Sequence, residues 1–161
     1  MPNVLADIAT VVTSVLNGAP AGTFALSFTA VRSYADWELP LEGNQGSNLM
    51  VDVVPVGKME AEIEAVGSLK YSPDVDICVR LGLGPDKRVV GGRYDVTLID
   101  PYVELLQSIA EYFAIDRFGG LTSFAWDSSR NNRTTIVYSH LRTHHQFTGI
   151  VRIPFTCSVS I

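Results

Sequence analysis

Three histidines, His140, His144 and His145, crowd into the segment SHLRTHHQF, and imidazoles this close together invite a metal reading. Neighbouring histidines on a strand point to opposite faces, and on a loop they have no fixed convergence. No cysteine or carboxylate cluster stands beside them to complete a ligand set. Solvated loop histidines and no bound metal are therefore expected. Cys157 with one of these histidines would be a pair for thiol hydrolysis, but it falls mid-strand on an apolar face, away from any helix N-terminus that would stabilise a thiolate.

Carboxylates are the next source of chemistry. Glu60, Glu62 and Glu64 alternate, as do Asp74 and Asp76, so each set forms a row on one face of a strand. Glycoside hydrolysis needs two facing carboxylates at a set separation, which alternation alone does not establish; a solvated acidic edge that discourages strand-to-strand aggregation is the expected outcome. The glycine-rich stretch GLGPDKRVVGGRY, residues 82–94, contains neither GxxxxGK[ST] nor GxGxxG and does not open directly onto a helix, so it reads as a mobile loop and not as a phosphate cradle. Asn132-Arg133-Thr134 matches a glycosylation acceptor, which has meaning only on a secretory route. No catalytic residue, metal ligand or cofactor is assigned, and the chain reads as a non-enzyme.

The elements that would position these residues follow from periodicity. Val4, Leu5, Ile8, Val11, Val12, Val15 and Leu16 recur at helical spacing, with Asn3 as N-cap and Asn17-Gly18 before Pro20 as a left-handed exit. From Thr23 the period changes to two and predicts a long strand through Val31. Residues 36–48, DWELPLEGNQGSN, lose all periodicity and form an extended loop of a length that usually serves a purpose. Alternation resumes over 49–57, where Pro55 marks an edge or bulge, and over 74–81, which reads as a half-buried strand. Asp100-Pro101 predicts the start of a second helix through Ala114. Thr122–Ala125 and Thr134–Ser139 flank a polar turn and suggest a hairpin, and the last strand alternates from Phe147 to Ile161. A strand that long either crosses a large sheet or offers backbone groups to a neighbour. The sum is one α+β domain, residues 1–161, with an antiparallel or mixed sheet, two main helices on one face and long inter-strand loops.

Composition bounds the class. The chain has 161 residues, 47% of them apolar and 18% charged, with a net charge of −5. That content excludes disorder, and the acidic balance lacks the clustered positive charge that duplex binding requires. A mean hydropathy of +0.20 leaves little polar cover for an isolated monomer, so permanent interfaces are expected. Cys78 and Cys157 lack CxxC spacing and read as two buried free thiols. The N-terminal stretch has no Lys or Arg before its apolar run and carries Asp7, unlike a secretory signal, and no window suggests a membrane span; cytosol-like surroundings are expected.

GRYDVTLIDPYVELLQSIAEYF from Gly92, then a polar hairpin, then LRTHHQFTGIVRIPF, resembles the tail-terminator proteins of long-tailed bacteriophages, also called tail-completion or neck proteins. The resemblance rests on Arg142, His144, Gln146, Phe147 and Thr148 introducing a hydrophobic terminal strand after a helix of the Asp100–Ala114 kind; the first half matches only in element order. It implies a virion protein, assembled in the host cytoplasm, that forms a homohexameric ring on the last ring of the tail tube, ends tube polymerisation and joins the head connector. Its partners would be itself, the tail-tube protein and the connector, with DNA only passing through the lumen, no specific nucleic-acid binding and no membrane. Tyr34 and Trp37 are the candidate contacts with neighbouring subunits or tube, with ordinary core as the alternative for Tyr34. Arg142 and Arg152 are candidates for ion pairs across a subunit boundary, with solvation as the commoner outcome. The alternatives are a tail-tube or connector subunit, or a small-molecule-binding or hydrolytic α+β domain.

Overall fold

The computed structural model describes residues 3–41, 48–56, 61–84, 88–89, 93–118 and 124–160. Helix α1, Val4–Asn17, begins where Asn3 accepts a hydrogen bond from the Ala6 amide at 3.3 Å, and it turns Ile8, Val12 and Leu16 inward. It ends at Asn17 as its sequence requires, although Gly18 keeps φ at −87° and the left-handed turn falls later, at Gly22. Strand β1 is only Ala30–Arg32. The alternating stretch before it packs without joining a ladder: Phe24 lies 5.3 Å from Phe28 and 5.4 Å from Tyr112, ring centre to ring centre. The Asn17 amide takes a strand neighbour's place by accepting from Ala30 N at 2.8 Å and donating to Ala30 O at 2.9 Å.

Strands β2, Met50–Pro55, β3, Ala61–Ala65, β4, Ser68–Tyr71, and β5, Asp74–Gly82, follow. Pro55 closes β2 beyond the last residue paired with β1, where its missing N–H costs nothing on that side. Residues 82–94 are not wholly loop, because β6, Arg88–Val89, pairs with β7, Arg93–Tyr94; residues 85–87 and 90–92 lie outside the described ones. Helix α2, Val96–Tyr112, starts five residues before the expected site. Asp95 is the N-cap, accepting from Thr97 N at 2.9 Å and Thr97 Oγ1 at 2.8 Å, and those bonds hold its carboxyl below the usual carboxylate range. Pro101 is consequently inside the helix, where its ring removes one backbone hydrogen bond.

Strands β8, Phe124–Trp126, and β9, Arg133–Ile136, do not pair with each other as a hairpin would. Both pair with β10, Gln146–Ser160, end to end, so the polar turn 127–132 is a loop thrown out from one flank. A short helix α3, Tyr138–His144, holds the segment expected to be a histidine loop. The architecture is α+β, with α1 and α2 on one face of a mixed sheet in which β1 and β2 are the parallel pair.

Strand β10 organises everything. Gly149 pairs with Val79 on one flank and Ile136 on the other, and Cys157 pairs with Tyr71 and Phe124. One unbroken register, Gln146↔Gly82 to Ser160↔Ser68, therefore places β5 and β4 on the first flank, with β2 and β1 beyond β5 and β3 beyond β4. Odd-numbered β10 residues, Phe147 to Phe155, meet Ile8, Leu105, Leu106 and Ile109 in the main core. Each such fully buried side chain is worth about 1.5–3 kcal/mol against exposure. Strand β5 is buried on both faces, not one. The cause is the connection from β1 to β2: parallel neighbours need a crossover, and its first described stretch, residues 33–41, contacts the sheet's second face. Ser33 and Leu41 donate hydrogen bonds to Asp52 and Gln146 of the sheet, and the Glu38 carbonyl accepts one from His140 of α3.

Candidate functional site

The second face is polar and largely buried. Arg80 Nη2 donates to Asp52 Oδ2 at 2.9 Å, Ser33 Oγ donates to Asp52 Oδ1 at 3.1 Å, and Arg80 Nε is buried without a partner among the described residues. Cys78 lies between them in the same face, and burial, with Asp76 nearby, pushes its thiol far above the usual range. Burial also raises Cys157. Both cysteines are free; their ladder positions, opposite Ile150 and at 157 itself, stand roughly 23 Å apart along β10. That separation forbids a disulfide, and neither thiol is poised as a nucleophile.

His140 is buried, which overturns the expectation of a solvated histidine. Its Nε2 donates to Glu38 O at 3.0 Å, and its Nδ1 is hydrogen-bonded with Thr148 Oγ1 at 2.7 Å. Thr148 Oγ1 in turn accepts from Gln146 Nε2 at 2.7 Å, and Gln146 Oε1 accepts from Leu41 N at 2.7 Å. Every member is satisfied, so the network fastens the crossover loop to α3 and β10. His144, one helical turn on, is exposed with its ring centre 5.7 Å from that of His140. A reading of the sequence that finds no H-x-x-x-H here is wrong, since His140 and His144 form one; the spacing nevertheless builds no metal site, because both His140 nitrogens are engaged. His145 sits at φ +51°, ending α3, and pairs through Nδ1 with the Tyr94 hydroxyl at 2.7 Å. Among the described residues no group of three or more His, Cys, Asp or Glu converges for a metal, and no helix is long and apolar enough to cross a membrane.

Of the four interface candidates, Tyr34 is 70% exposed and is not core; Arg32 donates to its hydroxyl at 2.7 Å. Trp37 is half-buried in a turn of the crossover loop, and Arg142 is exposed in the last turn of α3. Arg152 finds its acid inside the chain: Nε and Nη2 donate to the two oxygens of Asp76 at 2.8 and 2.9 Å, and the pair raises the arginine further above its usual range. The structure does not bring the four together.

Two surfaces that sequence reasoning missed lie at opposite edges of the sheet. At the β8–β9 edge, Arg130 fixes the loop 127–132 by donating to Asp127, Asp74 and Phe155 O. On the polar side of that loop is a cleft of about 340 Å³ lined by Arg130, Arg133, Arg152 and Asp74. Arg133 stands directly opposite Arg152 in the ladder, a like-charge pairing that disfavours folding; Asp76 neutralises Arg152, while no carboxylate among the described residues bonds Arg133. On the helix side is an open groove of about 690 Å³ floored by Val103, Ala110, Ala114 and Trp126.

At the other edge, β3, β4 and the end of β10 extend past the helices. All five residues of β3 are exposed. The row Ile63–Leu69–Val159 continues the core face outward, from Val159 packed at the margin of the core through half-buried Leu69 to exposed Ile63, and the turn beyond carries Val66. Ile63 is 84% exposed and Val66 is fully so. Glu62 and Glu64 face the polar side, Glu64 accepting from Ser158 Oγ at 2.9 Å. Residues 58–60, including Glu60 of the expected acidic row, lie outside the described ones. No family model matches the chain, and no curated protein matches its sequence.

Proposed function

We propose that this chain is a structural virion subunit of a long-tailed phage, forming a hexameric ring that caps the tail tube, ends its polymerisation and joins it to the head connector. The observation that carries the reading is the apolar row Ile63–Leu69–Val159, half-buried at Leu69 and Val159 and open to solvent at Ile63, with exposed Val66 beyond it. A core face extended past its own helices is a surface awaiting a partner. Tyr34, Val31 and Leu39 add exposed apolar area near the crossover loop, where tube or connector would dock. The C-terminal sequence resemblance supplies the kind of assembly. Within the resemblance motif, Phe147 belongs to the core while Gln146 and Thr148 belong to the buried network, so the motif shapes the subunit and leaves Arg142 and His144 outward.

Mass measurement and electron microscopy of the purified full chain test this reading. Closed rings of single thickness, growing in with concentration, are expected. A monomer at every concentration overturns it, and indefinitely stacked rings would instead identify a tube subunit.

A further inference from the structure

Resting on that ring reading, we infer that the β3–β4 edge of one copy docks onto the β8–β9 edge of the next, with the occupant of the groove and cleft being a second copy of this chain. The two surfaces match side for side. On the helix side, the outgoing apolar row of Ile63 and Leu69, with Val66 at the tip, meets the apolar groove over Trp126 and Ala110. On the polar side, Glu62 meets the cleft where Arg133 faces Arg152. A sheet approaching its copy edge to edge, faces aligned, brings both matches together without a twist of one subunit over the other.

Charge supports the same occupant. Arg152 spends Nε and Nη2 on Asp76, and Arg130 spends its donors on Asp74, Asp127 and a backbone carbonyl, so of the three arginines lining the cleft Arg133 is the one with no carboxylate partner among the described residues. The opposite edge presents Glu62 in an exposed strand, its only cross-strand charge being Lys70. Because the two edges differ, the contact is heterologous; it closes into a ring when the rotation between copies allows and otherwise continues as a fibre.

Charge exchange in the full chain provides the test. Glu62→Arg and Arg133→Glu, each alone, should raise the copy-to-copy dissociation constant by about tenfold or more, and the double variant should return to within about threefold of the original. Arg133→Glu also places an acid opposite Arg152, so its thermal midpoint as a monomer should not fall; loss of assembly with intact folding separates docking from damage. Rings that ignore both single changes, or a double variant that fails to recover, overturn the docking while leaving the ring reading standing. An original chain that never associates removes the ring reading itself.

Discussion

Gly149 is where α2 lies closest to the sheet, and it gives the sharpest test of how the core is built. A methyl group at that position would stand 2.2 Å from Leu106 Cδ1, 2.9 Å from Cδ2 and 3.0 Å from Cγ. Carbon contacts settle at about 3.5–4.0 Å, so the nearest methyl would have to withdraw by about 1.5 Å. Turning the methyls about the Cβ–Cγ bond does not relieve this, because Cγ itself, at 3.0 Å, is too close. Leu106 is fully buried and has nowhere to go without lifting the helix. Overpacking of this kind costs about 1–3 kcal/mol, against which removing a strand-interior glycine returns about 0.5–1 kcal/mol. Gly149→Ala should therefore lose a net ~1–2 kcal/mol. Urea unfolding followed by the fluorescence of Trp37 and Trp126 should show the midpoint falling by about 0.3–2 M, for a slope of about 1–3 kcal/mol/M. The decisive measurement is the cycle with Leu106→Ala, which alone should cost about 2–5 kcal/mol. In that background the added methyl fills part of the vacated space, and the Gly149→Ala effect should change sign. Equal effects in both backgrounds, or a stabilised single variant, would refute the close packing of α2 on β10.

Two further perturbations probe the polar face. Asp52→Leu leaves the Arg80 guanidinium buried without its acid and should cost about 3–5 kcal/mol, whereas Asp52→Leu with Arg80→Met should approach neutrality in chemical denaturation; a double variant as unstable as the single would show that the pair itself holds the face together. Asp127 accepts from Ser129 Oγ and the Arg130 guanidinium, and these bonds hold its carboxyl below the ordinary value of 3.8. A depressed folded value contributes stability above the unfolded pKa that is lost as pH falls through the folded one. The penalty of Asp127→Asn, about 1–3 kcal/mol, should accordingly be constant from roughly pH 5 to 7 and shrink below about pH 4; thermal melts across that range would show it, and a penalty undiminished at about pH 2 would contradict it.

Helix α1 and strand β10 were readable because each states its own period. The seven apolar positions of α1 need only one face to bury, and the alternation of β10 holds for its full length, with Phe147, Val151, Ile153 and Phe155 all turned to the core. Periodicity reports which way side chains point, not what the backbone bonds to. Phe24, Leu26 and Phe28 alternate as a strand would, yet their burial comes from packing beside Tyr112 and the ladder begins only at Ala30. Asp95 and Asp100 are both competent caps, and Asp100 before Pro101 is locally the better signal. Asp95 prevails because starting at Val96 adds helix at its N-terminal end, at the expense of one backbone bond at Pro101.

The chemistry of the second face was hidden for a different reason. Asp52, Asp76, Arg80 and Arg152 were visible as the polar members of alternating strands, which normally marks a solvated face. Their pairing depends on register, and register across β2, β5 and β10 is set by a tertiary arrangement that no single strand encodes. His140 was misplaced by the same gap, since its carbonyl partner Glu38 lies 102 residues away on a loop with no pattern of its own. The edge surfaces follow from topology alone: β10 takes β4 on one flank and β8 on the other, and only then do Ile63 with Glu62 and Trp126 with Arg133 become the two ends of one subunit. A sequence can display greasy and charged residues in abundance; that they sort onto matching sides of opposite edges is a property of the folded sheet, and it is on this sorting that the proposed directional contact between copies rests.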